Sequence, residues 1–415
     1  MEKGCKEQDK VELQIQFQAE EIEDLRAENK KLHERIDYQI RQLFGSKSEK
    51  IDPRQLMLIL GLDEVQQEDE PETPPSPSEP PLPKRKRRQL KDRLPEHLPL
   101  YRQAQTLKRR FGIELSRKTM SSWMWHIGNW LRIIYDEMKE EIRASGYLQA
   151  DETCIKYIDP GTGRSQSGYL WVYHAPNVGV VFEWHQGRGT EHLNSMLGDY
   201  SGDLQCDGYQ PYRTFNLSRE TQYRYLIYAC WAHVRRKFFE AKADSVTAAE
   251  ILNQIQCLYR IESDLRDSAA SHKERAKRRK ESKIILNDIK ESLDHGLSSH
   301  RPQSLTGKAI SYTLNLWDEL VRYADTGHVE IDNNLVENAI RPTAIGKKNW
   351  LFFGSPDSGW QSAVIFSILE TCRKLGIDQQ DYLHGVLAQL PTLTAQQARE
   401  LTPARWLEKR AQVAA

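Results

Sequence analysis

Gly146-Tyr-Leu-Gln-Ala-Asp-Glu-Thr153 is a short, apolar-rich run that climbs to a carboxylate, Asp151. The pattern returns at Gly202-Asp-Leu-Gln-Cys-Asp-Gly-Tyr209, which ends on Asp207. Each reads as a strand that delivers an aspartate where it leaves a sheet. Hard divalent cations take oxygen ligands, and phosphoryl-transfer sites hold such ions rigidly between carboxylates. A third acid completes a cage of this kind. Glu337, in Ile331-Asp-Asn-Asn-Leu-Val-Glu-Asn-Ala-Ile-Arg341, is the candidate. The three acids predict a metal-dependent enzyme, with two Mg²⁺ or Mn²⁺ ions, that cuts and joins DNA strands.

Outward from Asp151, Thr153–Tyr157, Gly168–Tyr173 and Gly179–Trp184 are β runs separated by Gly-rich turns. Turns of this kind suit hairpins, so an antiparallel meander is expected. A short helix over Glu191–Leu197, the Asp207 strand and a strand over Tyr225–Cys230 follow. A meander followed by strands alternating with helices is the ribonuclease H-like order. The predicted fold is therefore an α/β catalytic core over 146–375 with a ribonuclease H-like mixed sheet.

Asp207 follows Asp151 by 56 residues, whereas Glu337 follows Asp207 by 130. A compact sheet does not need so long a gap, and residues 240–328 read as a helical insertion. Ile251, Ile255, Leu258, Ile261 and Leu265 form one helical stripe there, and Ile285, Ile289 and Leu293 form another. Between them lies the basic run His272–Lys280. Glu337 falls on a helix capped by Asn333 or Asn334, with Arg341 one turn further on. Glu152, Asp203 and Asp332 compete with the three acids as ligands; Asp332 reads better as a helix-start residue. Cys230 and His233 are spaced as a metal half-site, but two ligands without a second pair make a poor zinc site. Core packing plus a phosphate-facing His233 is the plainer reading.

The regions before the core are more readily read as scaffolding. Ile15, Ile22, Asn29, Ile36 and Leu43 share one heptad position, and Leu25 and Leu32 the other. Residues 1–50 are thus expected to form a coiled-coil helix that pairs copies of the chain, although a single amphipathic helix packed on the body has the same pattern. Residues 51–97 carry a Pro- and Glu-rich linker that ends in Lys84-Arg-Lys-Arg-Arg88. Such a run neutralises DNA phosphates without reading sequence; a solvated charge run balancing the acidic linker would look the same. Over 98–145 a helix, a turn at Gly112 and a second helix capped by Ser116 predict a helix-turn-helix. It places Arg117, Lys118 and Ser121 where a recognition helix meets the major groove. That second helix is expected to end near Trp125, with a separate one over Ile127–Ile142. Arg235, Arg236, Arg341, Lys347 and Lys348 are further candidate phosphate contacts. The tail, 376–415, reads as short helices without chemistry.

At 415 residues the chain exceeds one ordinary core. Its 28% charged residues and mean hydropathy of −0.70 describe a soluble protein, and no apolar run is long enough to span a membrane. The start Met-Glu-Lys-Gly-Cys lacks the layout of a secretory leader. Six scattered Cys without CxxC pairs fit a reducing compartment and no classical zinc site. The net charge of +0 does not advertise nucleic acid; the alternation of acidic and basic blocks says more.

The chain resembles the transposases of the insertion sequence 66 family, the large DDE-bearing protein of those bacterial elements. The resemblance is carried by Leu43–Lys50, His97–Gln103, Ala150–Thr153, Gln205–Tyr209, Cys230–Phe239, Ile331–Glu337 and Gly346–Phe352. It implies a catalytic triad at Asp151, Asp207 and Glu337, a ribonuclease H-like fold with a helical insertion, and DNA as partner. It also implies a cytoplasmic, nucleoid-associated location and accessory proteins of the same element. One departure is plain: the family's Cys-rich zinc segment has no counterpart, since no Cys lies between Cys5 and Cys154. Two rival readings fit the same residues. One is a ribonuclease H-like nuclease that hydrolyses without joining; the other is an inactive, self-associating DNA-binding relic.

Overall fold

Among the described residues two helices precede the sheet, and their junction follows from local chemistry. Helix α1 (Leu100–Phe111) ends on Gly112, whose φ of 67° lets the chain turn left-handed at no steric cost. Ser116 then caps α2 (Arg117–Ala144) by accepting the Thr119 N–H at 3.0 Å. The break expected near Trp125 is absent, and α2 is one helix of 28 residues. Gly128 lies within it because a side chain there would press on Gln361, with a Cβ only 2.8 Å from the Gln361 Cβ. A computed structural model of the chain describes residues 99–243 and 245–414, without the side chains of 413 and 414. The heptad segment, the linker and Lys84–Arg88 (Lys84, Arg85, Lys86, Arg87 and Arg88) lie outside the described residues.

Strands β1 (Tyr147–Ile158), β2 (Ser165–Ala175) and β3 (Gly179–His185) form the antiparallel meander that the turns predict. Strands β4 (Asp203–Cys206) and β5 (Leu226–Ala229) add in parallel on the other side of β1, giving the order β3-β2-β1-β4-β5. A two-residue strand, β6 (Phe352–Phe353), pairs in parallel with the far half of β1. One expectation needs correcting here. Asp151 is not at a strand end, because β1 runs on to Ile158 with Asp151 paired to Val172. The hairpin with β2 keeps β1 extended, whereas β4 stops at Cys206, just before Asp207.

The helices of the core and insertion are α3 (Gln210–Ser218), α4 (Trp231–Ala241), α5 (Val246–Asp267), α6 (His272–Arg278), α7 (Ser282–Ser299), α8 (Leu305–Asn315) and α9 (Trp317–Val321), besides the single turn Asn194–Leu197. After them come α10 (Asn334–Trp350) and α11 (Pro356–Lys374). Side-chain alternation along β1 sorts the core. Leu148 and Ala150 pack with Leu131, Ile134, Met138 and Ile142 of α2 on one face. Ile155 and Tyr157 pack with Val336, Ala339 and Ile340 of α10 on the other. The tail docks on α2 through Arg405, which meets Glu137 at 2.7 Å and Glu141 at 2.8 Å.

Helix α11 also closes the β3 edge, which would otherwise invite pairing with another chain. Ser367 Oγ accepts the Phe182 N–H at 2.8 Å, Thr371 Oγ1 accepts the Val180 N–H at 3.0 Å, and the Tyr135 hydroxyl donates to the Phe182 carbonyl at 2.9 Å. Trp184 is clasped between Gly168 and Gly359, where any Cβ would collide with its indole. Gly359→Ala is expected to lower stability by about 1–3 kcal/mol, the usual cost of overpacking. Urea unfolding checks this, and a midpoint equal to wild type would refute it.

The insertion is built of helices, and it buries charge as well as apolar residues. Ile251, Ile255, Leu258 and Leu265 are buried, while Ile261 is only half-buried and its neighbour Glu262 is fully enclosed. The basic run is not all solvated either. Arg279 is 0% exposed and bonded to Glu262 at 2.7 Å. The buried pair ties α5 to the residue that follows α6. Among the described residues, no helix is long and apolar enough to cross a membrane.

Candidate active site

The register of β1 and β4 brings the two aspartates together. Tyr147, Leu148 and Gln149 pair in parallel with Asp203, Leu204 and Gln205. Two residues further along each chain, Asp151 and Asp207 come side by side on one face, since both follow their glutamine by one full pleat. Asp207 is held by its surroundings: the Tyr209 N–H donates to its Oδ1 at 2.9 Å, and the Tyr312 hydroxyl donates to its backbone carbonyl at 2.6 Å.

The glutamines, which the sequence reading passed over, bring in the third acid. Gln149 and Gln205 are both 0% exposed, and their amides bond to each other at 2.9 Å. Gln205 Nε2 donates to the Glu330 carbonyl at 2.8 Å, and Gln149 Nε2 donates to the Asp332 carbonyl at 2.9 Å. Gln149 Oε1 accepts the Val336 N–H at 3.2 Å. Side-chain amides thus replace a strand partner for a chain segment that crosses the sheet face, and buried backbone groups there stay satisfied. From the other side, Trp231 N–H donates to the Ile331 carbonyl at 3.2 Å. Glu337 follows in the first turn of α10, on the same face as the aspartates. The available signal was the Gln placed two residues before each Asp.

Electrostatics register the convergence. Burial drives the Asp151 carboxyl well above the usual range, and the charges of Glu152, Asp207 and Glu337 push it further. His233 of α4 lies 3.7 Å from Glu337, and Arg236 lies 4.0 Å away. Burial holds the His233 imidazole below its ordinary proton affinity, against the pull of Glu337 and Asp207. Glu337 Oε1 is buried without a hydrogen-bond partner. Among the described residues, no three His, Cys, Asp or Glu side chains are close enough together to hold an ion. The donor chemistry of Asp151, Asp207 and Glu337 nonetheless fits a hard cation in kind, because carboxylate oxygens are its preferred ligands and the buried Glu337 Oε1 has no hydrogen-bond partner.

The rival acids have other partners. Glu152 projects to the opposite face of β1, where Arg188 Nε donates to it at 2.9 Å and the Tyr212 hydroxyl at 3.3 Å. Asp203 pairs with His328 at 2.6 Å. Asp332 starts α10: its Oδ1 accepts the Asn334 N–H at 3.1 Å, and its Oδ2 accepts the Tyr259 hydroxyl at 2.9 Å. Asp332 therefore does the capping expected of Asn333 or Asn334. Cys230 accepts the Asn333 N–H at 3.5 Å through sulfur, so Cys230 serves the core.

Burial pushes the Asp332 carboxyl up to about 6. The folded protein thus takes this proton more readily than the unfolded chain, and stability is lost as pH rises from the unfolded value toward about 6. Asp332→Asn removes that loss. Its melting temperature relative to wild type is expected to be higher at pH 7.5 than at pH 5, and a difference that does not change with pH would contradict this.

The candidate DNA contacts divide by exposure. Arg117, Lys118 and Ser121 are exposed on the first turns of α2, Arg236 is exposed 4.0 Å from Glu337, and Arg341 and Lys348 are exposed on α10. Arg235 is half-buried. Lys347 turns inward, donating to Thr153 Oγ1 at 3.1 Å and the Cys154 carbonyl at 3.3 Å, so its charge tethers α10 to β1.

A family model described as "Transposase IS66 family" matches residues 90–361, and one described as "Transposase C of IS166 homeodomain" matches residues 31–102. Uncharacterized protein y4qI of Sinorhizobium fredii is 33% identical over 71% of this chain and 56% of its own length. Uncharacterized protein y4jD of the same organism is 31% identical over 75% of this chain and 63% of its own. The chain therefore spans between 56% and 63% of the length of these two relatives.

Proposed function

Because this chain belongs to the IS66 transposase family, we propose that it cleaves DNA strands at the ends of an insertion sequence and joins them to target DNA, with Asp151, Asp207 and Glu337 as the catalytic acids. One observation carries the proposal: the Gln149–Gln205 pair that sets the two aspartates in register also bonds to the segment bearing Glu337. The strand order β3-β2-β1-β4-β5 supports a ribonuclease H-like classification.

The three acids would hold two Mg²⁺ or Mn²⁺ ions, which supply charge neutralisation and an activated oxygen nucleophile when bound. The remaining work is positioning, since phosphoryl transfer needs no nucleophilic side chain. Tyr209 N–H and the Tyr312 hydroxyl fix Asp207 against rotation and drift. Burial lowers the proton affinity of His233, whose imidazole lies 3.7 Å from Glu337. The exposed Arg236, Arg341 and Lys348 offer cations to the phosphates flanking the cut. Arg117, Lys118 and Ser121 would seat α2 on duplex DNA, Lys84–Arg88 would add non-specific affinity, and the heptad segment would pair two copies.

The test is purified full-length protein with Mg²⁺ on DNA carrying the element's own ends, scored for joined product. Joining of pre-cut 3′-OH ends is the expected result. Hydrolysis without joining would favour a plain nuclease, and no metal-dependent nicking of any DNA would leave a DNA-binding relic.

A further inference from the structure

The chain between Tyr323 and Ile331 belongs to neither helix nor strand for most of its length, yet it sets where α10 begins. Buried carbonyls on such a stretch need donors. One nitrogen serves three of them: the two N–H groups of Arg279 Nη1 are shared among the carbonyls of Tyr323 at 3.3 Å, Thr326 at 2.9 Å and Val329 at 2.7 Å. Its other nitrogens, Nε and Nη2, bond to the two oxygens of Glu262, each at 2.7 Å. Both residues are 0% exposed. Arg275 extends the set, meeting Glu262 at 3.4 Å and Glu330 at 2.9 Å.

A second observation points the same way. A Cβ on Gly327 would overlap the His272 backbone carbonyl, so this segment lies directly against the start of α6. Tyr259 of α5 adds its bond to Asp332 at 2.9 Å. A buried ion pair is a weak source of stability, and apolar residues of similar volume often hold a core equally well. What apolar residues cannot do is hold three loop carbonyls in one place.

We propose that the helical insertion is a clamp on the active site, and that Arg279, fixed by Glu262, is a positioning residue for the segment that delivers Glu337. The proposal rests on Glu337 being the third catalytic acid. Arg279 acts through backbone several residues away from Glu337 and touches no reacting atom.

The test compares wild type with the double variant Glu262→Leu/Arg279→Met, which keeps packing and removes both buried charges, and with Arg279→Lys, which keeps the cation but cannot bridge Glu262 and all three carbonyls. Two quantities are read on the full chain: amide hydrogen exchange of peptides covering 323–337 in metal-free protein, and cleavage rate at saturating DNA with DNA affinity measured separately. In the double variant, exchange over 323–337 is expected to rise about tenfold or more while the α2 and β1 peptides are unchanged. Cleavage is expected to fall by roughly 10- to 100-fold at unaltered DNA affinity, the usual consequence of a misplaced catalytic group. Arg279→Lys should fall between the two on both readouts. Should the double variant fail to fold, Arg279→Lys alone decides by the same two readouts. Unchanged exchange, or unchanged cleavage in an active protein, would overturn the clamp. Should wild type cleave no DNA, the catalytic reading fails by itself, and exchange still decides whether Arg279 holds the segment.

Discussion

Asp207→Asn is expected to abolish strand cleavage and joining while leaving gel-shift affinity for element-end DNA within about twofold. Losing one of three anionic ligands removes several kcal/mol of charge stabilisation, and about 4 kcal/mol corresponds to roughly a thousandfold in rate. On the proposed function, DNA affinity would rest on cations elsewhere, at Arg117, Lys118, Arg236, Arg341 and Lys348, whereas Asp207 is held by Tyr209 and Tyr312. The fold should not suffer. Asp207 raises the proton affinity of the buried Asp151, so the metal-free protein loses a like-charge repulsion when the asparagine replaces it. Mg²⁺ should raise the melting temperature of wild type, by preferential binding to the folded state, and raise that of Asp207→Asn less. Equal loss of cleavage and of DNA binding would remove Asp207 from the catalytic set. An identical Mg²⁺ response in the two proteins would remove it from the metal set.

Gln149→Leu should be the most damaging single change outside the three acids. The leucine fills the volume but strands the Asp332 carbonyl and the Val336 N–H, and it breaks the bonds to Tyr147 and Gln205. Each buried group left unpaired costs about 1–3 kcal/mol, so a loss of roughly 3–6 kcal/mol is expected by urea unfolding. Cleavage measured well below the melting temperature should also fall, because α10 no longer starts from a fixed place. Gln205→Leu should do less, since it strands the Glu330 carbonyl while leaving both Gln149 bonds to the Glu337 segment in place. A Gln149→Leu protein of wild-type stability and rate would show that the segment is held by the insertion alone.

Local chemistry made much of this readable before any coordinates. Gly112 and Ser116 marked the α1–α2 junction because a left-handed turn and a capping hydroxyl are properties of single residues. The meander followed from Gly-rich turns, and the helical insertion from apolar spacing and from the long gap before Glu337. The break placed in α2 failed for a related reason: no local signal distinguishes a helix that ends near Trp125 from one that continues because Gly128 fits against Gln361.

The amino-acid order by itself named the three acids and their sequence along the chain, since each sits in a run with its own recognisable pattern. It also gave the family resemblance. Tertiary structure alone showed that Glu152 faces away from Asp151, that Asp332 bonds to Tyr259 of the insertion, that Lys347 is a tether, and that Arg279 lies buried within a basic run. The physical reason is range. Caps, turns and periodicity depend on neighbours a few residues away, whereas the partners of a buried charge or amide come from whatever the fold brings near it. Gln149 meets Asp332 and Val336 from 183 and 187 residues away, a distance over which no local pattern extends.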